Sequence, residues 1–397
     1  MKTNYKLELV KKNVVQLVSE SELYNKLEQS DITIKFGIDP TNSDLHLGHL
    51  VPIKRLKTFQ DLDYKVTLFI GDFTARLGDP SGTSKLRRKL SPEIVQQNMS
   101  SYQEWIFKIL NPDKTRVVYN SKWLKNTDLE SLIDLFSYEN INTLIKRKGV
   151  HQRLEEGKPV SMLEFIYPFL QAYDSVKLKV DIEIGGEDQY FNFLFTRAIQ
   201  QKYGQKPEVI MTLPLLKGSD GNKMSSSSNN IIPLNQKPDN MFGQIMSIND
   251  EIMFDYLMLL STLESEQITE WEKKVRLKEV NPMNIKMILA KDIVSQIFGN
   301  EKAEYAEEEF SNVHRNRKMP LEMPEVTIEK AVEISDMQEA LIYFQFTASK
   351  RQAKYLIRES AVRLNGQTIN DPFQKYSPKD GDVINVGKKT FKKIIIK

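Results

Sequence analysis

Short apolar runs alternate with longer amphipathic stretches over the first 237 residues of the chain. Between the apolar runs at 32–39 and 65–72, large apolar residues recur at three-residue steps from Leu50 to Phe59. This spacing predicts a helix that begins near Leu47 and has one buried face. Residues 1–30 have the pattern of one or two amphipathic helices. Strands that alternate with helices are typical of a doubly wound parallel sheet, so the predicted fold class is α/β. The predicted strands are 32–39, 65–72, 116–120, 179–186 and 208–216.

The pattern divides the rest of the chain into further segments. Residues 113–158 are rich in charged and helix-forming residues and interrupt the alternation, which favours a capping or dimer element. Residues 238–314 are dominated by Met, Leu, Ile, Glu and Lys, which predicts a helical domain. The segment 315–335 contains two Met-Pro pairs and is typical of a linker. The last segment, 336–397, predicts a small α+β domain, which leaves 1–237 as the α/β domain.

The composition excludes several classes of site. The chain has no cysteine, so it has no disulfide, thiolate metal site or cysteine nucleophile. Its four histidines argue against a histidine-rich metal site, and we predict no metal ligand. The N-terminus lacks the apolar core of a signal peptide, and no stretch approaches the roughly 18 apolar residues of a membrane span. These features predict a cytosolic (cytoplasmic) protein without a membrane partner.

Charge is distributed unevenly along the chain. The net charge of +3 is too small to indicate a nucleic-acid-binding protein by itself. Residues 336–397, however, contain 12 Lys and Arg against 6 Asp and Glu, a net charge of +6, so the rest of the chain carries −3. A basic tail on a mildly acidic body indicates a polyanionic partner. The alternative is a chance asymmetry of the solvated surface.

The motif His46-Leu47-Gly48-His49 lies where a predicted strand and turn lead into a helix. Free backbone N–H groups and the positive end of the helix dipole therefore lie beside two imidazoles. The glycine keeps the backbone clear, so that a phosphate or an adenine can approach closely. The imidazoles can donate hydrogen bonds to phosphate oxygens. By itself the motif also fits two histidines that only cap a helix.

A second motif, Lys-Met-Ser-Ser-Ser at 223–227, begins 174 positions after His49. It follows the last predicted strand and an Asp-Gly turn, and its serines are typical of a flexible loop. Lys223 could swing from this loop onto a pyrophosphate. Alone, the motif fits an ordinary solvated loop. In this order, and within a strand–helix pattern, the two motifs predict the two sides of one ATP-phosphate site, as an adenylate-forming enzyme requires.

These two motifs resemble the ATP signatures of the class I aminoacyl-tRNA synthetases. More narrowly, the chain resembles the bacterial type of tyrosyl-tRNA synthetase along nearly its whole length. The resemblance implies a Rossmann-like catalytic domain, followed by an anticodon-binding helical domain and an S4-like RNA-binding domain. The segments that carry it are 35–41, 44–49, 78–82, 167–174 and 185–189.

The resemblance implies a tyrosine pocket that the chemistry of the residues supports. Tyr167, Gln171 and Asp174 are spaced four and three apart and share one helix face. Out of context they would be an ordinary polar stripe. A phenol hydroxyl needs an acceptor, and the resemblance assigns Asp174 to it. An α-ammonium needs several acceptors, and Asp79 is assigned there with Tyr167 and Gln171, while Gln189 is placed near the carboxylate. The implied tyrosine-binding residues are Asp39, Asp79, Tyr167, Gln171, Asp174 and Gln189.

For ATP the resemblance implies a phosphate site and a ribose site. Thr41 and His46 are assigned to the outer phosphates, and His49 to the ribose and α-phosphate side. Lys223 is assigned to the pyrophosphate, over which its loop would close in the transition state. These four are the predicted catalytic residues, and Asp188 is placed near the ribose. The further implied ATP-binding residues are Gly48, Arg87, Gly186, Asp188, Met224, Ser225, Ser226 and Ser227.

The chain departs from the family pattern at four positions. Lys35 stands where one branch of the family has a tyrosine that shares the substrate hydroxyl. Phe36 stands where that branch has a cysteine facing the ribose. Thr83 replaces a lysine of a phosphate loop, although Lys85 is close by in the sequence. Ser226 replaces the second lysine of the commoner KMSKS form. These departures affect individual contacts and leave the implied pocket unchanged.

The last domain carries a resemblance of its own. The run 349–358 is similar to the helix of an S4-type RNA-binding domain. Lys350, Lys354 and Arg358 lie one helical turn apart and, with Arg351, form a basic stripe that suits RNA phosphates. The alternative is a solvated basic helix face.

Together these features predict an enzyme that joins L-tyrosine to ATP as tyrosyl-adenylate, releases pyrophosphate and passes tyrosine to tRNA(Tyr). ATP would carry Mg²⁺ on its phosphates, and no tightly bound cofactor is expected. The resemblance implies a homodimer, with 113–158 as the candidate interface. The alternatives are a tryptophanyl-tRNA synthetase, a small HxGH nucleotidylyltransferase and an RNA-binding regulator on the same scaffold. Asp174 and the S4-like tail count against the first of these.

Overall fold

A computed structural model of the chain describes residues 2–77, 90–225, 230–312, 323–329, 334–387 and 390–397. The chain divides into two compact units, Met1–Ala303 and Glu304–Lys397. The domain boundaries taken from the sequence, after 237, 314 and 335, are finer than this division and stay predictions. Within the described ranges, no helix is both long and apolar enough to cross a membrane.

A six-stranded sheet forms the centre of the first unit. Its strands are β1 (Gln16–Val18), β2 (Ile34–Ile38), β3 (Val66–Ile70), β4 (Thr115–Tyr119), β5 (Ile182–Gly186) and β6 (Val209–Leu213). They follow the order β1-β6-β5-β2-β3-β4; five run parallel, and β1 pairs antiparallel with β6 at one edge. β3 and β6 are buried at every position, as is typical of strands in a parallel sheet that is covered on both faces.

The observed sheet confirms the predicted α/β class. Each of the five strands predicted from apolar runs corresponds to one of β2 to β6. β1 was not predicted, because its three residues are too few to display a period of two. Its neighbours α1 (Thr3–Lys11) and α2 (Glu20–Leu27) agree with the helices predicted for 1–30.

Helices connect the strands and continue beyond them. Those between β2 and β6 are α3 (Leu47–Asp61), α4 (Pro92–Ile106), α5 (Ser121–Leu124), α6 (Leu129–Ser137), α7 (Ile141–Ile145), α8 (Lys148–Glu155), α9 (Met162–Leu178) and α10 (Tyr190–Lys202). After β6 come α11 (Pro238–Met246), α12 (Asp250–Leu260), α13 (Ser265–Arg276), α14 (Pro282–Phe298) and α15 (Asn300–Phe310). The predicted insertion at 113–158 comprises β4 and α5 to α8. The helical character predicted from residue 238 onward agrees with α11 to α15.

The order of the strands reverses between β2 and β5. From β2 the chain proceeds outward through β3 to β4, and from β5 it proceeds outward through β6 on the other side. The connections therefore leave the carboxyl ends of these two strands in opposite directions, which opens a crevice there. α3 follows β2, and its first residue, Leu47, confirms the predicted helix start.

α9 carries the predicted polar face, and both of its ends are defined by local contacts. The Ser161 hydroxyl accepts a hydrogen bond from the Leu163 N–H at 3.3 Å, and the Glu164 side chain accepts one from the Ser161 N–H at 3.0 Å. The helix ends at Leu178, and the next residue, Lys179, adopts the left-handed conformation at φ 51°. The buried face between these ends includes Asp174.

The second unit is built on a five-stranded sheet. Its elements are β7 (Glu325–Ile328), α16 (Met337–Tyr343), α17 (Lys350–Arg358), β8 (Val362–Leu364), β9 (Gln367–Thr368), β10 (Val383–Val386) and β11 (Thr390–Ile396). The strand order is β7-β11-β10-β8-β9, in which β7 and β11 are parallel and the other pairs antiparallel. Leu341, Phe344, Ile357 and Ile384 lie in its apolar core. β7 falls inside the predicted linker at 315–335, so part of that segment belongs to the sheet.

Candidate active site

Two adjoining cavities lie at the carboxyl ends of β2 and β5. The first, here called the α9 cavity, is bordered by α9 and by β2, β3 and β5. The second, the α3 cavity, is bordered by the first turn of α3 and by residues 213–216 and 223–225. The two cavities share residues 36–39, Gly186 and Gln189. A ligand in one cavity would therefore lie against a ligand in the other.

The three polar residues predicted on α9 all line the α9 cavity. The Tyr167 hydroxyl donates a hydrogen bond to Asp39 Oδ2 at 2.9 Å, and the Thr74 hydroxyl donates one to Asp39 Oδ1 at 2.9 Å. Asp39, which the sequence analysis also placed in the tyrosine site, lines both cavities. Two hydroxyl groups thus fix the orientation of a carboxylate in the wall that the cavities share.

Asn192 brings the predicted Gln171 and Gln189 together in the wall of the α9 cavity. Its buried side-chain amide donates to Gln171 Oε1 at 2.8 Å and to Gln189 Oε1 at 3.1 Å. Both glutamines line the cavity. Asn192 was not predicted from the sequence, because this residue acts through two other side chains.

Asp174 is 1% exposed and holds two hydrogen bonds. Its carboxylate accepts from Trp123 Nε1 at 2.7 Å and from Asn120 Nδ2 at 3.1 Å. Burial raises the pKa of Asp174 to about 7, although the Lys35 ammonium and these two donors oppose the rise. Neither donor was predicted from the sequence. Asn120 directly follows β4, so its position at the carboxyl end of a predicted parallel strand could have marked it as a candidate site residue.

Lys35 of β2 is buried in the wall of the α9 cavity, opposite Glu183 of β5 in the register of the sheet. Its Nζ lies 2.8 Å from the Glu183 carboxylate and donates to the Ser175 hydroxyl at 2.9 Å. Burial lowers the pKa of this ammonium, but the carboxyl groups of Glu183, Glu208 and Asp174 raise it more, so it stays charged. The lysine that departs from the family pattern is therefore paired across the sheet.

The predicted ATP residues that the structure describes all line the α3 cavity. They are Thr41, His46, Gly48, His49, Gly186, Asp188, Lys223, Met224 and Ser225. The two motifs, 174 positions apart in the sequence, thus meet at one cavity. Six positions discussed above lie outside the described residues, and their roles stay predictions: Asp79, Thr83, Lys85, Arg87, Ser226 and Ser227.

The first ATP motif forms the N-terminus of α3. His46 is the N-cap residue, and its backbone N–H donates to His49 Nδ1 at 3.2 Å. The centres of the two imidazole rings lie 4.0 Å apart. A Cβ on Gly48 would lie 3.0 Å from two atoms of the His46 ring, so the ring would have to shift by a few tenths of an ångström. The glycine therefore leaves room for the imidazole as well as for the approach of a ligand.

Both imidazoles of this motif are neutral at physiological pH. Burial lowers the pKa of His46 to about 2 and that of His49 to about 4, and the Lys223 ammonium lowers both as a smaller effect. Because His49 Nδ1 accepts a hydrogen bond, the proton of this neutral ring lies on Nε2, where it can be donated to a ligand. His46 Nδ1 is buried and has no hydrogen-bond partner within the described part of the chain.

Lys223 lies at the end of a short hairpin, 216–224. The Met224 N–H donates to the Leu216 carbonyl at 2.8 Å, and Lys217 pairs with Lys223 as an isolated bridge. The Lys223 Nζ donates to Asp188 Oδ2 at 2.8 Å, and both side chains are partly exposed. Two residues predicted to bind different parts of ATP are thus paired with each other.

The predicted RNA-binding residues lie on α17 in the second unit. Lys350, Arg351 and Arg358 are exposed, and Lys354 is half-buried. The Lys354 Nζ lies 5.2 Å from the centre of the Phe373 ring, and this ring is itself exposed. Phe373 was not predicted from the sequence, because its position beside the stripe depends on the fold.

Asp174 should make the stability of the protein depend on pH. Its carboxyl has a pKa of about 7 in the folded protein against an ordinary value of 3.8, so the folded state binds the extra proton between these values. The free energy of unfolding should therefore fall as the pH rises from about 4 to about 7. Asparagine does not titrate, so Asp174→Asn lacks this pH dependence. Its free energy of unfolding should therefore increase relative to that of wild type as the pH rises across this range. Denaturant unfolding at pH 5 and pH 8 measures the difference, and an equal difference at both values would contradict the assignment.

Comparisons with known proteins identify the family of this chain. A sequence model of the family described as tRNA synthetases class I (W and Y) matches residues 27–315. The chain is 41% identical to the tyrosine–tRNA ligase of Thermotoga maritima over 390 residues, which cover 98% of this chain and 96% of that protein. It is 40% identical to the tyrosine–tRNA ligase of Aquifex aeolicus over 392 residues, which cover 98% of each.

Solved structures share the fold at lower identity. The TM-score is 0.62 to the tyrosyl-tRNA synthetase from Archaeoglobus fulgidus complexed with L-tyrosine, at 19% identity over 77% of this chain and 100% of that one. The TM-score is 0.64 to a C-terminally truncated Aspergillus nidulans mitochondrial tyrosyl-tRNA synthetase, at 23% identity over 79% of this chain and 94% of that one. These structures show the α/β fold, and the near-full-length relatives show the family. The chain belongs to the tyrosine–tRNA ligase family of the class I aminoacyl-tRNA synthetases.

Proposed function

We propose that this member of the tyrosine–tRNA ligase family joins L-tyrosine to ATP in the crevice between β2 and β5. The observation that carries the proposal is the shared wall of the two cavities, formed by 36–39, Gly186 and Gln189. The described residues assigned to tyrosine line the α9 cavity, and those assigned to ATP line the α3 cavity. Two substrates bound in this way would meet at the wall, where the carboxylate of one must reach the α-phosphate of the other.

The reaction needs little covalent chemistry from the protein. An oxygen of the tyrosine carboxylate attacks the α-phosphorus, the bond from that phosphorus to the bridging oxygen breaks, and pyrophosphate leaves. The carboxylate is already ionised at neutral pH, so no general base is required. The protein contributes by positioning the substrates and by stabilising negative charge on the phosphates.

The α9 cavity would recognise both ends of tyrosine. Asp174 accepts the phenol hydroxyl, because Trp123 and Asn120 fix its carboxylate and a carboxylate has further lone pairs to offer. Tyr167 and Gln171, with the predicted Asp79, would hold the α-ammonium. Phenylalanine would leave the buried Asp174 without its substrate partner, which disfavours it.

The α3 cavity would hold the phosphates and the ribose. Neutral His46 and His49 donate hydrogen bonds to phosphate oxygens, and Thr41 assists at the outer phosphates. Asp188 would bind ribose hydroxyls, which would release Lys223 for the pyrophosphate. Breaking this partly exposed ion pair costs little, since pairs of this kind typically contribute about 1 kcal/mol or less.

Mg²⁺ would enter with ATP. This ion keeps several waters and is usually bound through substrate phosphates together with few protein oxygens. Within the described ranges, no group of three or more His, Asp or Glu side chains is arranged to hold a metal ion. We assign the ion to the phosphates and propose no protein ligand for it.

In the second step, a hydroxyl of the terminal ribose of tRNA(Tyr) would attack the carbonyl carbon of the adenylate, and AMP would leave. We assign anticodon binding to the helical domain 238–314 and backbone binding to the S4-like domain 336–397. The basic stripe of α17 supports the second assignment, because Lys350, Arg351 and Arg358 present their charges to solvent.

We also propose a homodimer whose interface includes 113–158. Large apolar side chains are exposed on this segment: Leu129 is 72% exposed, Ile133 is 59% exposed, and Ile141 is exposed as well. Leu129 and Ile133 are four residues apart on α6 and so share one face. Exposed apolar groups that cluster in this way are typical of protein–protein interfaces.

ATP–pyrophosphate exchange with each of the twenty amino acids tests the activation step. We expect exchange with tyrosine alone. Lys223→Ala should slow exchange by about 100-fold or more, because one donor to developing charge is lost. Tyrosine binding at equilibrium should not change, because Lys223 lines only the α3 cavity.

Lys217→Ala is the matched control for this experiment, because Lys217 belongs to the same hairpin but pairs with Asp255 outside both cavities. It should exchange at the wild-type rate. Exchange with tryptophan would overturn the substrate assignment, and the absence of exchange in a folded protein would overturn the proposed activity.

Removing the basic stripe should impair tRNA charging and spare activation. The triple variant Lys350→Ala, Lys354→Ala, Arg358→Ala should raise KM for tRNA, and it should lower the salt slope of tRNA binding by about one per lost phosphate contact. A second triple variant removes the same charge from the exposed Lys375, Lys379 and Lys397. Equal effects of the two variants would show that net charge, and not the stripe, binds the RNA.

A charge on the exposed face of α6 should break the proposed dimer. Ile133→Glu would bury an unpaired carboxylate at the interface, so the molar mass measured by light scattering should fall to that of one chain. Ile288→Glu is the control, because Ile288 is exposed on α14, outside the proposed interface. If Ile133→Glu keeps the mass of wild type, α6 does not form the interface.

A further inference from the structure

The segment that follows the second ATP motif contains a buried polar side chain, Asn230, that the proposed mechanism does not use. It is 3% exposed. Its Oδ1 accepts a hydrogen bond from the Ser225 N–H at 2.9 Å. Its Nδ2 donates to the Lys223 carbonyl at 3.0 Å and to Asp220 Oδ1 at 2.7 Å. One side chain thereby holds the residues on both sides of Met224 and the turn that precedes them.

The turn of the hairpin is shaped around this side chain. A Cβ on Gly218 would lie 2.4 Å from the Asn230 carbonyl oxygen and 2.6 Å from its Nδ2, so only glycine fits there. Asp220 also accepts hydrogen bonds from the backbone and side-chain nitrogens of Asn222 at 3.0 and 3.1 Å. The hydrogen bond from Asn230, followed by those from Asn222, lowers the pKa of Asp220 and keeps it charged.

Just beyond Asn230, the chain pairs with the first ATP motif. The Leu47 N–H donates to the Ile232 carbonyl at 3.0 Å, and the Leu234 N–H donates to the Leu45 carbonyl at 2.8 Å. These hydrogen bonds attach residues 232–234 to the N-terminus of α3. Asn230, two residues earlier, attaches the hairpin of the second motif. The two motifs are therefore connected through one asparagine and a short stretch of backbone.

We propose that Asn230 is a positioning residue for adenylate formation, which holds the backbone of Lys223 at a fixed place relative to His46 and His49. The inference rests on the proposed function. A lysine side chain is long and flexible, so the reach of its ammonium depends on where its backbone is held. A misplacement of 1 Å at a reacting site can cost about 100-fold in rate.

Asparagine suits this task because of its particular set of donors and acceptors. Its short amide supplies one acceptor for Ser225 and two N–H groups for Lys223 and Asp220. Aspartate would keep the acceptor but lose both donors, and it would set a second carboxylate against Asp220. Alanine would leave a buried N–H and a buried carbonyl without partners.

The first test compares Asn230→Ala with Asn222→Ala in tyrosine-dependent ATP–pyrophosphate exchange. Both variants remove an amide that bonds to Asp220, but the exposed Asn222 reaches neither Lys223 nor Ser225. Asn230→Ala should lower kcat by about 10- to 100-fold. It should leave the equilibrium affinity for tyrosine unchanged, whereas Asn222→Ala should behave as wild type. Equal losses in both variants would overturn the inference.

A double-mutant cycle separates positioning from general destabilisation. If Asn230 acts through Lys223, adding Asn230→Ala to Lys223→Ala should cause no further loss of exchange. A loss of stability alone would lower the rate by the same factor in both backgrounds, and that result would overturn the proposal.

A second test is needed in case the alanine variant does not fold. It exchanges the amide of Asn230 and the carboxylate of Asp220. Asn230→Asp is isosteric and should slow exchange, and adding Asp220→Asn restores a donor between these positions and should recover part of the rate. Exchange at the wild-type rate in Asn230→Asp, which has lost both donors, would overturn the inference. Wild-type protein without exchange would overturn the proposed function, and this inference with it. Wild-type exchange combined with an unimpaired Asn230→Ala variant would overturn the inference alone.

Discussion

The position of β2 beside β5 is the constraint on which both cavities depend. The two strands are neighbours in the sheet, although the chain forms β3 and β4 before it reaches β5. The connections from their carboxyl ends diverge, which leaves the crevice between them open. Residues 36–39 and Gly186, at the ends of these strands, form most of the wall shared by the cavities. Backbone pairing, which side-chain substitution changes little, therefore sets the place where tyrosine and ATP would meet.

The same two strands carry the buried charges beneath the site. Lys35 and Glu183 are opposite in register, so strand pairing brings their charged groups together at 2.8 Å. Taking two ions out of water costs several kcal/mol each, which only close pairing and further hydrogen bonds offset. Burial, with the neighbouring Glu183, raises the pKa of Glu208 well above its ordinary value. Burial raises the pKa of Asp174 more than the Lys35 ammonium, which lines the same cavity, lowers it.

The sequence could predict those parts of the site whose chemistry and spacing lie on one element. Helical periodicity alone puts Tyr167 and Asp174 on one face of α9, and apolar runs alone identify the parallel strands. Trp123 and Asn192 escaped prediction because each acts through a partner on another element, and local spacing does not encode the pairing of elements. The departure at Lys35 was visible, but its partner depends on a register that is fixed only when β2 pairs with β5.

The connection between the two ATP motifs is even harder to predict from the sequence of the motifs. Their surroundings are joined by main-chain hydrogen bonds between Leu47 and Ile232 and between Leu45 and Leu234. Nearly every residue offers the same main-chain donor and acceptor, so such pairing leaves little trace in the sequence. Such pairing is visible in the sequence only where a buried side chain takes the place of a main-chain partner. The amide of Asn230 does so when it bonds to the main chain of the hairpin. The residue that holds a motif in place can therefore lie outside the motif, and its identity follows from the backbone groups it must satisfy.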